Sequence, residues 1–230
     1  MKHLLEVCLV GLTLATNVTP SASAQSAAMQ RGVSVQLAVT NNATPMPEAD
    51  NEDAWIVTVA ADRRIYFGTD PVTAASLSEE MKSRPRNRAQ KLYVKADARA
   101  PFANVESVLE IGRTSLFESA VLLTTQAEPP TPGAIVAPKG LEVWLSPSSN
   151  PGTSVVQVLS SGHASPTLKV NNQDAAPAAL QSALRQFLQD QGEKVVVVKA
   201  DGQVPFGHVV NVIDVCRSTG AKVVLSTPQL

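Results

Sequence analysis

The residues of this chain that could do chemistry are few and lie far apart in the sequence. Beyond residue 25 the chain has two histidines, His163 and His208, and one cysteine, Cys216. No H-E-x-x-H or C-x-x-C spacing accompanies the histidines, no serine lies in a G-x-S-x-G turn, and no glycine-rich loop fits a phosphate group. We therefore expect no catalytic, cofactor-binding or metal-binding site and no enzymatic activity. Cys216 lies on the apolar face of a predicted helix and is interpreted as an inert buried thiol.

Two aspartates, Asp97 and Asp201, occupy matching positions between a predicted strand and a predicted helix. The favoured interpretation is structural, because an aspartate in such a turn accepts hydrogen bonds from backbone N–H groups. The alternative is a functional pair that contacts a partner. Phe102 and Phe206 follow these turns and are interpreted as core residues.

A series of residue types recurs in the chain at a constant offset of 104 residues (201 − 97 = 104). The matching residues are Lys95, Ala96, Asp97, Pro101 and Phe102 in the first series, and Lys199, Ala200, Asp201, Pro205 and Phe206 in the second. The same offset relates Asp70 to Asp174. We interpret the chain as two copies of one unit, at residues 32–125 and 140–227, joined by a stiff proline-rich linker at residues 126–139.

Hydrophobic periodicity predicts the order β-β-β-α-β-α-β in both copies. The predicted strands are residues 33–39, 55–59, 64–67, 92–96 and 120–124 in the first copy, and 141–145, 155–159, 167–170, 194–200 and 222–226 in the second. The predicted helices are residues 71–83, 102–116, 180–188 and 206–216. Grouped strands followed by alternation favour the α+β class, with two tandem small domains that each have a five-stranded sheet and two helices on one face. We expect residues 41–53 to be a mobile acidic loop.

The first 24 residues have the pattern of a signal peptide. A basic start and an apolar run of about a dozen residues precede Ala22-Ser23-Ala24, so cleavage is expected between Ala24 and Gln25. The alternative is a short membrane anchor, although a membrane span needs roughly 20 apolar residues. The protein is therefore expected in the periplasm, or in the inner membrane if the leader is kept.

The charge of the chain limits its partners. A net charge of -1 argues against nucleic acid, whose binding needs a basic excess. One basic cluster stands out, formed by Arg84, Arg86, Arg88 and Lys91. It is interpreted as a solvated surface or, alternatively, as a binding site for an acidic partner or the cell wall.

Both copies resemble the periplasmic domain of the ExbD/TolR family of biopolymer-transport proteins. The most specific stretch is residues 195–227, VVVVKADGQVPFGHVVNVIDVCRSTGAKVVLST, and its counterpart is residues 92–125, LYVKADARAPFANVESVLEIGRTSLFESAVLLTT. The resemblance implies pairing of the domains and partners such as ExbB/TolQ-like motor proteins, TonB/TolA-like proteins and, for TolR-like members, peptidoglycan.

The chain departs from this family in two features. Members normally have one such domain behind a membrane helix that carries an essential aspartate, whereas the leader here has no aspartate and the unit is duplicated. We therefore expect a non-enzymatic periplasmic partner-binding component whose two copies pair within one chain or in a homodimer. The alternatives are a membrane-anchored subunit of the proton-driven motor and an exported hydrolase or ligand-binding enzyme.

Overall fold

The computed structural model describes residues 33–85, 90–126, 137–147, 153–162, 165–189 and 191–227. The predicted leader with Ala24 and Gln25, most of the predicted linker, and Arg86, Arg88 and His163 lie outside these residues.

The first half of the chain contains six strands and two helices among the described residues. They are β1 Thr44–Pro45, β2 Trp55–Val59, β3 Ile65–Phe67, β4 Asp70–Val72, α1 Ala74–Ser83, β5 Leu92–Ala96, α2 Phe102–Thr114 and β6 Ser119–Thr124. A capping box opens α1, because Thr73 Oγ1 accepts from the Ser76 N–H (3.1 Å) and Ser76 Oγ accepts from the Thr73 N–H (2.9 Å). All five residues of β5 are buried, as expected for a central strand covered on both faces.

The second half has the same order of elements, and its first strand is longer. They are β7 Lys139–Ser146, β8 Ser154–Leu159, β9 Thr167–Val170, β10 Gln173–Ala175, α3 Leu180–Leu188, β11 Val195–Ala200, α4 Phe206–Ser218 and β12 Lys222–Ser226. The helix predicted at residues 180–188 has the bounds observed for α3, because Leu180, Leu184 and Leu188 form one buried stripe.

The described strands form one mixed sheet in the order β10-β9-β8-β11-β12-β7-β6-β5-β2-β3-β4, with β1 paired to β7. The α+β class is confirmed. The expected pair of separate five-stranded sheets is not observed, because β7 pairs with both halves. It runs antiparallel to β6 over six residue pairs and parallel to β12 over three. Pairing both edges of β7 joins the halves into a single sheet.

The strand predictions need correction in both halves. Residues 33–39 do not form a strand and make a single bridge, between Val39 and Thr125, because both edges of β6 are already paired, one with β5 and the other with β7. The short edge strands β4 and β10 were not predicted. Their register also corrects one repeat assignment: Asp70 pairs with Phe67 and Gln173 pairs with Val170, so Asp70 corresponds to Gln173 rather than to Asp174.

The helices cover one face of the sheet and bury the main core. Alternate strand residues, such as Leu92 and Val94 in β5 or Val196 and Val198 in β11, point into this core with Phe102 and Phe206, which are fully buried. The assignment of both phenylalanines to the core is confirmed. The contacts α1–α2, α3–α4 and α2–α4 place the four helices side by side on this face.

The opposite face of the sheet, which we call the outer face, is covered in the first half by the chain itself. Met46 and Ala49 pack there against Tyr93, Val121 and Leu123. Residues 41–53 are therefore not the mobile loop expected from their charge. Their start is fixed by Asp214 in α4, whose carboxylate accepts the N–H groups of Asn41 (2.9 Å) and Asn42 (2.8 Å).

Candidate partner-binding surfaces

Asp97 lies at the end of β5, in the turn that leads to α2. Its Oδ2 accepts the Gln36 N–H and its Oδ1 accepts the Arg99 N–H, both at 3.0 Å. The Arg99 guanidinium donates from Nε to Oδ1 (2.8 Å) and from Nη2 to Oδ2 (2.9 Å). These donors, chiefly the Arg99 guanidinium, hold the pKa of Asp97 well below its usual range. They do so against the burial of the side chain, which is only 3% exposed and would by itself raise the pKa. Asp97 is thus an ionised anchor for residue 36.

Asp201 occupies the matching turn after β11, but its side chain is exposed. Its Oδ2 accepts one hydrogen bond, from the Ser160 N–H at 2.9 Å. Gln203 stands where the first turn has Arg99, so the second turn lacks the guanidinium that pairs with Asp97. Both aspartates accept backbone N–H groups, as the structural interpretation expected, and the partners of each lie in its own half of the chain. A role for Asp97 or Asp201 in partner binding stays a prediction.

The two turns that follow these aspartates contact each other directly. Four backbone hydrogen bonds join them: Phe102 N–H to Val204 O (2.9 Å), Phe206 N–H to Ala100 O (2.8 Å), Ala103 N–H to Gly202 O (2.9 Å) and Gly207 N–H to Ala98 O (2.8 Å). The bonds are reciprocal, since 102 + 104 = 206 and 204 − 104 = 100. Such reciprocity is the property of an isologous dimer interface, here found within one chain.

Small residues allow the two turns to approach. A Cβ added to Gly202 would lie 2.8 Å from the Cβ of Ala103. A Cβ added to Gly207 would lie 3.0 Å from the Cβ of Ala98 and 3.2 Å from its carbonyl oxygen. Larger side chains at these positions would push the turns apart.

The basic cluster is described only in part. Arg84 follows α1 on the surface, and its guanidinium carbon lies 4.1 Å from the centre of the Phe67 ring. Arg86 and Arg88 lie outside the described residues. Their role in binding stays a prediction.

His208 lines an apolar cleft of about 190 Å³ between α3, α4 and β9. Leu168, Leu180 and Val212 form much of its wall, and no carboxylate lies among its described lining residues. The cleft therefore does not join the histidine to an acid. Cys216, in the same helix, is buried, and this burial raises the pKa of its thiol to about 12.

A second cleft, of about 210 Å³, lies at the start of β2 and β5 and is lined by Trp55, Gln90 and Tyr93 among others. Trp55 Nε1 donates to Gln90 Oε1 (3.2 Å), and Gln90 Nε2 donates to Asp53 Oδ2 (3.0 Å). The pKa of the Tyr93 hydroxyl is raised, chiefly by burial and secondarily by the negative charges of Glu48 and Glu142. These bonds fix the polar side chains of the cleft without forming a nucleophile–base pair.

Across the described part of the chain, no group of histidine, cysteine and carboxylate side chains could hold a metal ion. None of the helices in that part is long and apolar enough to cross a membrane.

Sequence reasoning missed the outer face as a surface. The signal was present in β7, β11 and β12, where Trp144, Lys199 and Lys222 alternate with core residues. Without the sheet order, these side chains could not be placed beside one another.

Comparison with known protein families gives the chain its identity. The family described as "Biopolymer transport protein ExbD/TolR" matches residues 13–127 and 134–229. No curated protein and no solved structure matches the chain. The family match spans far more than half of the sequence and agrees with the resemblance carried by residues 92–125 and 195–227. The chain belongs to the ExbD/TolR family of biopolymer-transport proteins.

Proposed function

We propose that this protein is a non-enzymatic, partner-binding component of an ExbD/TolR-type biopolymer transport or envelope-tethering system, located in the periplasm. Family membership supports a role in biopolymer transport. The reciprocal bonds between the turns at residues 98–103 and 202–207 carry the more specific part, because they support two duplicated units that pair within one chain. Tethering replaces association of separate chains by a high effective concentration, so one chain presents the paired state at any dilution.

The first test is the intact mass of the protein after cell fractionation. A soluble periplasmic species that begins at Gln25 is expected. A full-length species that stays in the inner membrane after alkaline washing would contradict this location and favour the motor subunit instead. That alternative has one supporting observation, since the family match begins at residue 13, inside the predicted leader.

The second test is recovery of partners from an envelope extract, with the purified protein as bait. We expect ExbB/TolQ-like, TonB/TolA-like or peptidoglycan components, and recovery of none of them would contradict the proposal. A bait with Arg84→Gln, Arg86→Gln and Arg88→Gln tests the basic cluster. Its matched control removes three other exposed arginine charges, by Arg63→Gln, Arg64→Gln and Arg185→Gln. Loss of partners with the first bait but not the second would assign binding to the cluster.

A further inference from the structure

In the first half, the outer face of the sheet is covered by an acidic segment of the same chain. Residues 46–53 lie over it and contain four carboxylates, those of Glu48, Asp50, Glu52 and Asp53. Met46 and Ala49 fill the apolar part of the face, where Val121 is fully buried and Tyr93 is 3% exposed. Asp50 provides a negative charge near Lys95, which is 7% exposed. The first half therefore binds an acidic segment with apolar side chains three residues apart.

The second half offers a matching surface. Tyr93 pairs with Val121 across β5 and β6, and Val197 pairs with Val224 across β11 and β12. Lys199 follows Val197 by two residues, as Lys95 follows Tyr93, so both lysines lie on the outer face beside the apolar pair. The apolar row continues through Val155 and Trp144 on the neighbouring strands.

No described residue covers this second surface, which we call the open face. The apolar cluster of the outer face includes no residue of the second half. Neighbouring side chains bury Val197, whereas Val155, Val224 and Trp144 are only half-buried. Val121, at the position that corresponds to Val224, is fully buried under residues 46–50.

The open face is also more basic than its covered counterpart. Lys222 corresponds to Ser119 and adds a cation, whose Nζ lies 3.9 Å from the centre of the Trp144 ring. Two other lysines form ion pairs and so add no net charge: Lys169 with Asp174 and Lys91 with Glu142, each with an N–O distance of 3.6 Å. Among the described residues, Lys199 and Lys222 have no carboxylate partner, so two positive charges flank an apolar row.

We propose that the open face binds an acidic segment of a partner protein, seated as residues 46–50 are seated on the first half. The segment would place an apolar side chain on Val224 and Trp144 and carboxylates near Lys199 and Lys222. This inference rests on the proposed function and deepens it, because it names the surface and the chemistry of the partner.

The probe is a synthetic peptide of residues 41–53, NNATPMPEADNED, added to the intact protein. At about 20 mM salt, where charges are weakly screened, we expect binding by calorimetry, a change in Trp144 fluorescence and loss of affinity as salt is raised. Trp144→Phe removes the fluorescence change. A peptide with all four carboxylates replaced by amides is expected to bind at least about fivefold more weakly.

Variants of the protein locate the binding site. Lys199→Gln and Lys222→Gln are each expected to weaken peptide binding about two- to fivefold, in line with exposed ion pairs. Lys82→Gln, an exposed lysine on α1, is the control and leaves affinity unchanged. No binding at millimolar peptide, equal binding of the amide peptide, or no effect of the Lys199 and Lys222 changes would each overturn the proposal. Absence of binding is also the result expected if another part of the chain already occupies the face.

Recovery of partners from envelope extract separates this inference from the proposed function. A bait with Lys199→Gln and Lys222→Gln should recover less of the envelope partner than the wild-type protein does. Undiminished recovery would overturn the open face and leave the proposed function standing. Peptide binding without recovery of any envelope partner would support the surface and count against the proposed function.

Discussion

Replacing Asp97 by asparagine tests the anchor that joins residue 36 and Arg99 to the turn after β5. Asparagine keeps the shape and one acceptor oxygen, but its NH₂ group cannot accept a hydrogen bond and the charge is lost. One part-buried backbone N–H group, of Gln36 or Arg99, then loses its bond to a charged acceptor, and such a bond contributes about 1.5–3 kcal/mol. The lost ion pair adds only about 0.2–1 kcal/mol, because the Arg99 side chain is 67% exposed and screened by water. We expect the free energy of unfolding to fall by about 2–3 kcal/mol.

Asp201→Asn is the matched control, since Asp201 occupies the same turn of the second half. It is exposed and accepts only the Ser160 N–H, so the expected loss is less than about 1 kcal/mol. Urea unfolding followed by circular dichroism at pH 7 measures both variants. The melting temperature of Asp97→Asn should fall by about 4–12 °C. Equal losses in the two variants would refute the reasoning.

The pH dependence of this difference has a definite sign. The pKa of Asp97 is lower in the folded protein than in the unfolded chain, where it is about 3.9. Its stabilising contribution is therefore complete above the unfolded pKa and is lost as the pH falls through the folded pKa. The gap in unfolding free energy between wild type and Asp97→Asn should be constant from pH 7 to about pH 5 and narrow below about pH 4. A gap that stays the same down to about pH 2 would show that the charge of Asp97 is not the cause.

Three further substitution or labelling experiments address other features. Gly202→Val should destabilise the protein by about 1–3 kcal/mol because its Cβ would lie 2.8 Å from Ala103, whereas Gly192→Ala, with no atom within 4 Å, should be neutral in the same urea titration. Leu116→Gly should raise the free energy of unfolding by about 0.5–1 kcal/mol, because Leu116 has a φ of 69° and is 79% exposed; a lower urea midpoint would contradict this. Cys216 should react with a maleimide at least about a hundredfold more slowly in the native protein than in urea, read by peptide mass; equal rates would mean that the thiol is accessible.

Strands and helices were predictable where burial follows a simple period. The predicted bounds of β2, β5, β9 and β12 are those observed, because each strand places alternate residues in the main core. The turn role of Asp97 and Asp201 was also predictable, since strand, aspartate and proline follow one another closely in both halves. The burial of Asp97 could not be predicted, because it depends on a contact with residue 36, which is 61 residues away in the sequence.

The remaining features depend on contacts that no local pattern carries. Residues 41–53 look solvent-exposed from their charge, yet Met46 and Ala49 pack on the outer face and Asp214 holds the start of the segment. The three-residue strands β4 and β10 lie at the sheet edges and have no apolar alternation. The antiparallel pairing of β6 with β7 spans a segment whose prolines predict only an extended linker. The open face could not be predicted from the sequence either, because its residues come from separate strands whose order in the sheet no local pattern reveals.

The shared position of β7 has a consequence for how the chain folds. Removing either half would leave this strand with one bare edge, and residues 41 and 42 of the first half would lose the carboxylate of Asp214 in the second. The halves are therefore not independent cooperative units, and stability measured on one alone would not describe the whole. Pairing of β7 with β6 joins residues 19 apart in sequence (141 − 122 = 19), whereas its pairing with β12 joins residues 80 apart (224 − 144 = 80), so the second pairing closes the longer loop and costs more conformational entropy.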